Sequence, residues 1–352
     1  MNDSFKKYFL AANSAEGFVS HFGDCYNPKD GWKAYIIKGG PGTGKSSFMR
    51  YMAKTAVEKN IDVEYFPCSS DPDSLDAVIL KNIKTVIMDG TAPHIVEPRF
   101  VGFCDNIINL GDFWDEKLLR EKAEDILSVT KRNKSAHLRA SEYIKIAGNL
   151  IRQNYEIACE FTDFDKAHKT AEKLNEKYLK NQNKVGYEWV RFLGGITPKG
   201  YVSFTDNLTE NLIIIKDEYG ASSTAILENI RKNCLKKGYE IITLKNPILP
   251  SIITDGILIP EKSIAFIREY SGMKINSPCR RIRFERFSHS GIDKKKKHLK
   301  FNTTQAKIIL DKASYQLKIA KEIHDQLEKY YVDAMDFESL SNFAEKFKET
   351  LF

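Results

Sequence analysis

Short apolar runs alternate with amphipathic segments along this chain. An apolar run at 34–37 is followed by hydrophobic residues that recur at helical spacing from Phe48 to Val57. A β-prone segment at 62–66 and an apolar run at 86–88 have the length of strands buried in a sheet. Strands that alternate with helices in this way predict an α/β fold with a parallel sheet flanked by helices.

The pattern recurs in the second half of the chain. The segment FLAANSAEGFVSHF at 9–22 matches FLGGITPKGYVSFT at 192–205, at an offset of 183. Likewise, ASEYIKIAGNLIRQ at 140–153 matches ASYQLKIAKEIHDQ at 313–326, at an offset of 173. Matches that keep the same order, with small shifts between them, predict a tandem duplication.

We therefore predict two P-loop-type α/β domains, residues 1–187 and 188–352. The first domain is expected to carry a helical extension at 115–180, and the second to end in the corresponding C-terminal helices. The sequence leaves open whether these helices form a lid, a dimer surface or a partner site.

A glycine-rich segment joins the first predicted strand to the first predicted helix. It satisfies the pattern G-x-x-x-x-G-K-[ST] in the strand-to-helix context that this motif requires. Glycines let successive backbone N–H groups converge on an anion, and the helix N-terminus adds its positive dipole. Lys45 is expected to reach the β- and γ-phosphates, and the Ser46 hydroxyl to bind Mg²⁺. The predicted nucleotide-binding residues are Gly39, Gly40, Pro41, Gly42, Thr43, Gly44, Lys45, Ser46 and Ser47.

A phosphate loop also needs an acidic partner for the metal ion. Asp89 follows the apolar run at 86–88, at the carboxyl end of a strand, where ligands bind in open α/β sheets. We therefore predict that Lys45 and Asp89 are catalytic and that Ser46 and Asp89 hold Mg²⁺. Gly90 stands where many such ATPases have a water-activating glutamate, so a base must come from elsewhere. Further candidates are Glu64, Asp71, Asp73 and His94.

The second repeat has lost the residues that serve phosphate. At an offset of 178, Lys45 aligns with Ser223, and an aspartate, Asp217, enters the loop; at 179, Asp89 aligns with Arg268. Negative charge at this position disfavours a triphosphate electrostatically. We expect ATP at the first loop only, with the second repeat as a pseudo-partner in an intramolecular pseudo-dimer.

One acidic residue is kept in both repeats. Asp76 aligns with Asp255 at the offset of 179, whereas Asp71 and Asp73 have no acidic counterparts. Because Asp76 persists in a repeat that is not expected to bind nucleotide, we interpret it as structural.

The loop at 39–46 resembles the Walker A motif of the P-loop NTPase superfamily, and its form GPGTGKS is similar to loops of AAA-type and related ATPases. With SSDPDSLD, DGTAPH and the duplication, the chain resembles a little-characterised bacterial family of tandem-duplicated P-loop ATPases with one degenerate Walker A site. This resemblance implies Mg²⁺-dependent binding and hydrolysis of ATP at the first loop.

Composition limits the remaining possibilities. Hydrophobic residues make up 42% and charged residues 29% of the chain, and no apolar run approaches the roughly 18 residues of a membrane span. We therefore expect a cytoplasmic protein without a membrane partner. Six cysteines at wide spacing predict reduced thiols and no metal site. Part of the net charge of +7 is concentrated in the segment 279–300, which holds nine Lys and Arg residues.

Other functions stay open from the sequence. Asp71 and Asp73 follow the second strand, where several small-molecule kinases hold a substrate hydroxyl or Mg²⁺. The basic segment suits a non-catalytic, ATP-responsive scaffold that binds nucleic acid. For an ATPase, the second repeat would supply a cation across the first site. The candidates for that cation are Arg280, Arg281, Arg283 and Arg286.

Overall fold

The computed structural model describes residues 6–92, 95–209, 211–276 and 279–352. In the first half, the strands are β1 (Lys6–Lys7), β2 (Ala11–Ser14), β3 (Gly17–Ser20), β4 (Lys33–Lys38), β5 (Val63–Pro67), β6 (Leu75–Leu80), β7 (Thr85–Asp89) and β8 (Asp105–Asn109). In the second half, they are β9 (Tyr187–Arg191), β10 (Gly194–Thr197), β11 (Gly200–Ser203), β12 (Asn211–Lys216), β13 (Glu240–Lys245), β14 (Thr254–Ile259), β15 (Ile264–Glu269) and β16 (Arg280–Arg283). The helices are α1 (Lys45–Glu58), α2 (Glu116–Glu121), α3 (Ala123–Glu160), α4 (Phe164–Tyr178), α5 (Ala221–Lys236), α6 (Lys296–Ala334) and α7 (Phe337–Leu351).

The two halves contain six-stranded sheets of the same topology. The first sheet has the order β1-β5-β6-β7-β4-β8, and the second has the corresponding order β9-β13-β14-β15-β12-β16. Strand β4 is parallel to β7 and β8, just as β12 is parallel to β15 and β16. Two α/β units therefore follow each other along the chain, as the repeated pattern predicts.

Both sheets are mixed, so the prediction of a parallel sheet is wrong for one strand of each. Strand β6 is antiparallel to β5 and β7, and β14 is antiparallel to β13 and β15. The four residues at 81–84 that join β6 to β7 are too few for a parallel crossover, which takes about a dozen residues. The sequence analysis did not assign 75–80 to a strand. This segment, LDAVIL, is buried along its whole length and lacks the alternation that marks an antiparallel strand.

One face of each sheet packs against the other sheet. The shared core includes Ile36 and Met88 from the first sheet and Ile214 and Ile267 from the second. Next to it, Phe9 and Phe192 form an antiparallel bridge with two backbone hydrogen bonds of 2.9 Å. The two α/β units are therefore joined by a common apolar core.

The long helices α3 and α6 carry the chain from each sheet to the other one. They pack antiparallel to each other along their length. Where α3 ends, the Asp163 N–H donates to the Phe287 carbonyl of the second repeat at 2.7 Å. Where α6 ends, the Asp336 N–H donates to the Phe113 carbonyl of the first repeat, also at 2.7 Å. The helical extensions are therefore exchanged between the repeats.

The short helices complete this exchange. Helix α7, from the second repeat, packs on α1, where the Phe48 ring centroid lies 5.3 Å from that of Phe347. Helix α4, from the first repeat, packs on α5, with Leu174 in the same core as Ile226. The outer face of each sheet is covered by one helix of its own repeat and one of the other.

All six cysteines are free, and Cys25, Cys104 and Cys234 are buried. Within the described ranges, no helix combines the length and the apolar character that crossing a membrane requires.

Candidate nucleotide-binding site

The glycine-rich loop connects β4 to α1 at the carboxyl end of the parallel strands. Gly42 and Gly44 have φ values of +69° and +85°, in the left-handed region that glycine adopts without steric cost. The Thr43 side chain is buried, and its hydroxyl donates to the Gly40 carbonyl at 2.9 Å. The loop is therefore bent at these glycines, held by its own hydrogen bond, and followed directly by α1.

The Lys45 ammonium group lies inside this loop. It donates hydrogen bonds to the carbonyl oxygens of Gly39 at 3.1 Å and Gly40 at 2.7 Å. Its Nζ atom is 3.7 Å from Oδ2 of Asp89, and the two side chains are only 12% and 13% exposed. Lys45 and Asp89, which the sequence analysis selected from separate segments, are therefore neighbours.

The Asp89 carboxylate is held in one orientation. Its Oδ1 atom accepts hydrogen bonds from the Thr91 N–H at 2.8 Å and the Thr91 hydroxyl at 2.5 Å, which leaves Oδ2 toward Lys45. The Ser46 hydroxyl accepts a hydrogen bond from the Leu75 N–H at 2.9 Å, so it lies where β6 begins. The two predicted Mg²⁺ ligands therefore lie at the same edge of the sheet, with Ser46 of α1 beside the start of β6 and Asp89 at the end of β7.

Asp76 lies in β6, directly after Leu75, whose N–H donates to the Ser46 hydroxyl. It is buried, and burial together with the nearby Asp76 carboxylate raises the pKa of the Cys68 thiol. The structural role that the sequence analysis gave to Asp76 stays a prediction.

The other predicted acids contact the second repeat. Glu64 is buried, and its carboxylate lies 2.7 Å from Lys81 and 3.9 Å from Arg191, which belongs to β9. Lys81 belongs to the first repeat, and the contact with Arg191 places Glu64 where the two sheets meet. His94 lies outside the described residues.

Asp71 and Asp73 are also paired with lysines of the second repeat. The Asp71 carboxylate is 3.4 Å from Lys321, and that of Asp73 is 2.6 Å from Lys199. The hydrogen bond from Lys199 lowers the pKa of Asp73. The turn that holds these two acids is therefore tied to the second repeat by ion pairs.

Helices α6 and α7 pack against the first loop. A Cβ atom on Gly40 would lie 2.5 Å from the Tyr331 ring, and one on Gly42 would lie 2.8 Å from the Glu328 carbonyl oxygen. Real side chains do not approach so closely. The glycines therefore permit this contact with the second repeat as well as the bend of the loop.

The second loop is closed around its own carboxylate. Only four residues separate β12 from α5, compared with six between β4 and α1, because α5 begins two residues earlier. Asp217 is fully buried at this shortened turn. The carboxylate thus occupies a helix N-terminus that would otherwise attract an anion. Its four donors, at 2.9–3.1 Å, are the N–H groups of Tyr219, Gly220 and Ser223 and the Ser222 hydroxyl.

An arginine from the neighbouring strand replaces the lysine. Arg268 has the same register on β15 that Asp89 has on β7. It donates to the carbonyl oxygens of Asp217 at 2.8 Å and Glu218 at 2.7 Å, the positions that align with Gly39 and Gly40. Its remaining nitrogen pairs with Asp255 at 2.9 Å. Protein groups therefore fill the second site, in which the buried Ser223 hydroxyl is left without a hydrogen-bond partner.

The four candidate arginines belong to the surroundings of this closed loop. They lie on or just after β16, the edge strand beside β12. Phe284, in the same segment, shares an apolar cluster with Ala221 at the start of α5. The part of the second repeat that covers the first loop is instead formed by α6 and α7.

The first loop fits a phosphate group. In the part of the chain that the structure describes, no acceptor faces the backbone N–H groups of Gly42, Gly44 and Lys45, whereas Asp217 serves the second loop. Such unpaired donors at a helix N-terminus are the usual partners of an anion.

A metal ion at this site would need oxygens from its ligand. Among the described residues there is no group of three or more His, Cys, Asp or Glu side chains able to hold a metal ion. The Ser46 hydroxyl and the Asp89 carboxylate are hard oxygen donors that suit Mg²⁺ bound to a phosphate.

Comparisons with protein-family models, curated proteins and solved structures find no match to this chain.

Proposed function

We propose that the first loop binds ATP with Mg²⁺ and hydrolyses it, and that the second repeat binds no nucleotide and acts as a pseudo-partner. The contrast between the two loops carries this proposal. The first keeps Lys45 beside Asp89 and has unpaired N–H groups, whereas the second fills the same place with Asp217. A nucleoside triphosphate uses the N–H groups, the lysine and the metal-binding acid together.

Each group of the first site would have a defined task. The N–H groups of the loop would orient the phosphates, and Lys45 would leave the two carbonyl oxygens to contact phosphate oxygens. Ser46 and Asp89 would hold Mg²⁺, which supplies positive charge that stabilises the phosphoryl group during transfer. Helices α6 and α7 would limit the access of water from outside the loop.

The ion pairs of the aspartate turn favour hydrolysis over a small-molecule kinase. A kinase would need Asp71 or Asp73 free to hold a substrate hydroxyl, but both pair with lysines of the second repeat. The scaffold alternative differs in predicting ATP binding without turnover. Both alternatives are separated from the ATPase by the same measurements.

The test compares ATP binding by calorimetry with phosphate release, each with and without Mg²⁺. Lys45→Ala removes a charged hydrogen bond to phosphate of about 1.5–3 kcal/mol, so affinity should fall by about 10–100-fold. Asp89→Ala should abolish the dependence on Mg²⁺. Ser223→Ala is the matched control, because Ser223 aligns with Lys45 and should leave binding unchanged.

The outcomes distinguish the proposals. Wild-type affinity for ATP in Lys45→Ala would overturn the central claim. Binding without phosphate release would favour the scaffold, and ADP release only with an added metabolite would favour the kinase.

A further inference from the structure

The C-terminal half of α6 carries three ionisable side chains next to the first loop. Lys321 pairs with Asp71, and Nε2 of His324 lies 3.4 Å from Oε1 of Glu328. The Glu328 main chain lies against the loop at Gly42. Because these three residues are spaced by three and four positions, they share one face of the helix.

The equivalent positions of α3 carry no charge. The offset of 173 is supported by the ends of the structure's helices, since α4 and α7 begin at Phe164 and Phe337 and end at Tyr178 and Leu351. At this offset, Lys321, His324 and Glu328 correspond to Gly148, Ile151 and Tyr155. The charged face therefore occurs only over the loop that keeps its lysine.

The surroundings of the Glu328 carboxylate favour its ionised form. The hydrogen bond from His324 lowers the pKa of Glu328, burial opposes this, and the charges of Lys321 and Lys45 lower it further. The carboxylate is therefore ionised at neutral pH, which is the form that can accept a proton. Since Gly90 follows Asp89, strand β7 offers no glutamate of its own.

We propose that Glu328, supplied by the second repeat, is the general base for hydrolysis at the first loop. This inference rests on the proposed ATPase function. A lone pair of the water oxygen forms a bond to the γ-phosphorus, and Glu328 takes a proton from that water. The bond from the γ-phosphorus to its bridging oxygen breaks, and ADP leaves with the electron pair. His324 positions the carboxylate through its hydrogen bond.

The experiment measures the dissociation constant for Mg²⁺-ATP and the turnover number separately. Glu328→Gln keeps the shape of the side chain but cannot accept the proton. Its turnover should fall about 100-fold or more, the usual contribution of a general base, while its affinity for ATP stays within about threefold of wild type. Glu328→Asp keeps a carboxylate and should retain more turnover than Glu328→Gln.

Glu322→Gln is the matched control, because Glu322 is exposed on the same helix and the change removes the same charge. It should leave both quantities unchanged. Wild-type turnover in Glu328→Gln would overturn this inference and leave the ATPase proposal intact. Equal losses in the Gln and Asp variants, or a loss of ATP affinity as large as the loss of turnover, would also overturn it. Failure of the wild-type protein to bind ATP would instead overturn the proposed function itself.

Discussion

Replacing Asp217 with alanine removes the acceptor of four hydrogen bonds at the start of α5. Each bond to a charged acceptor contributes about 1.5–3 kcal/mol, but the four are not additive, because they share one carboxylate. Removing one member of a buried charged set costs about 3–5 kcal/mol. We expect Asp217→Ala to lower the free energy of unfolding by that amount.

Urea unfolding followed by circular dichroism gives the free energy of unfolding of each variant. Asp217→Asn keeps one acceptor oxygen and should lose less, about 1–2 kcal/mol. Asp311→Ala, an exposed change on α6, should alter the free energy of unfolding by less than about 0.5 kcal/mol.

Formate provides a second measurement, because it has the size of the carboxylate that Asp217→Ala removes. Added formate should raise the midpoint of thermal unfolding of Asp217→Ala in a saturable way and leave the wild-type protein unchanged. A loss below about 1 kcal/mol in Asp217→Ala would refute the idea that this carboxylate takes the place of an anion at the helix N-terminus.

Two further predictions concern the contacts between the repeats. Gly40→Ala places a Cβ atom 2.5 Å from the Tyr331 ring, so overpacking should lower the free energy of unfolding by about 1–3 kcal/mol in the same urea assay. In Gly195→Ala the nearest atom lies at 3.6 Å, and this control should cost less. Burial lowers the pKa of His21, whose ring packs on Phe192, so the fold favours the neutral ring. The corresponding stability is present above the ordinary pKa of about 6.5 and is lost as pH falls through the lowered pKa. His21→Phe should therefore reduce the loss of stability between pH 7.5 and pH 5.5, and an unchanged loss would contradict this assignment.

The sequence predicted single strands and helices better than the contacts between them. The motif requires a strand, a bend and a helix around Lys45. Asp89 was expected nearby because ligands bind at the carboxyl ends of the strands in open α/β sheets. The alignment of the repeats showed that Arg268 replaces Asp89 and that Asp217 replaces Gly39. In the structure, Arg268 takes the place of the lysine and Asp217 takes the place of the anion. An alignment could not predict this, because it contains no side-chain directions.

The exchange of helices was beyond the reach of the sequence for a different reason. Helical periodicity shows which face of α7 is apolar, but it does not show which sheet that face covers. The contact between Phe48 and Phe347 joins residues from opposite ends of the chain.

The covering of α1 by α7 sets an order of events during synthesis. Helix α1 ends at Glu58, whereas α7 ends at Leu351, so most of the chain is made between them. At about 5–20 residues per second, this synthesis takes about 15–60 s, during which the apolar side of α1 waits for its partner. The covering of the first sheet is therefore completed last, and loss of the 15 residues of α7 would damage the unit that carries the glycine-rich loop rather than its own repeat.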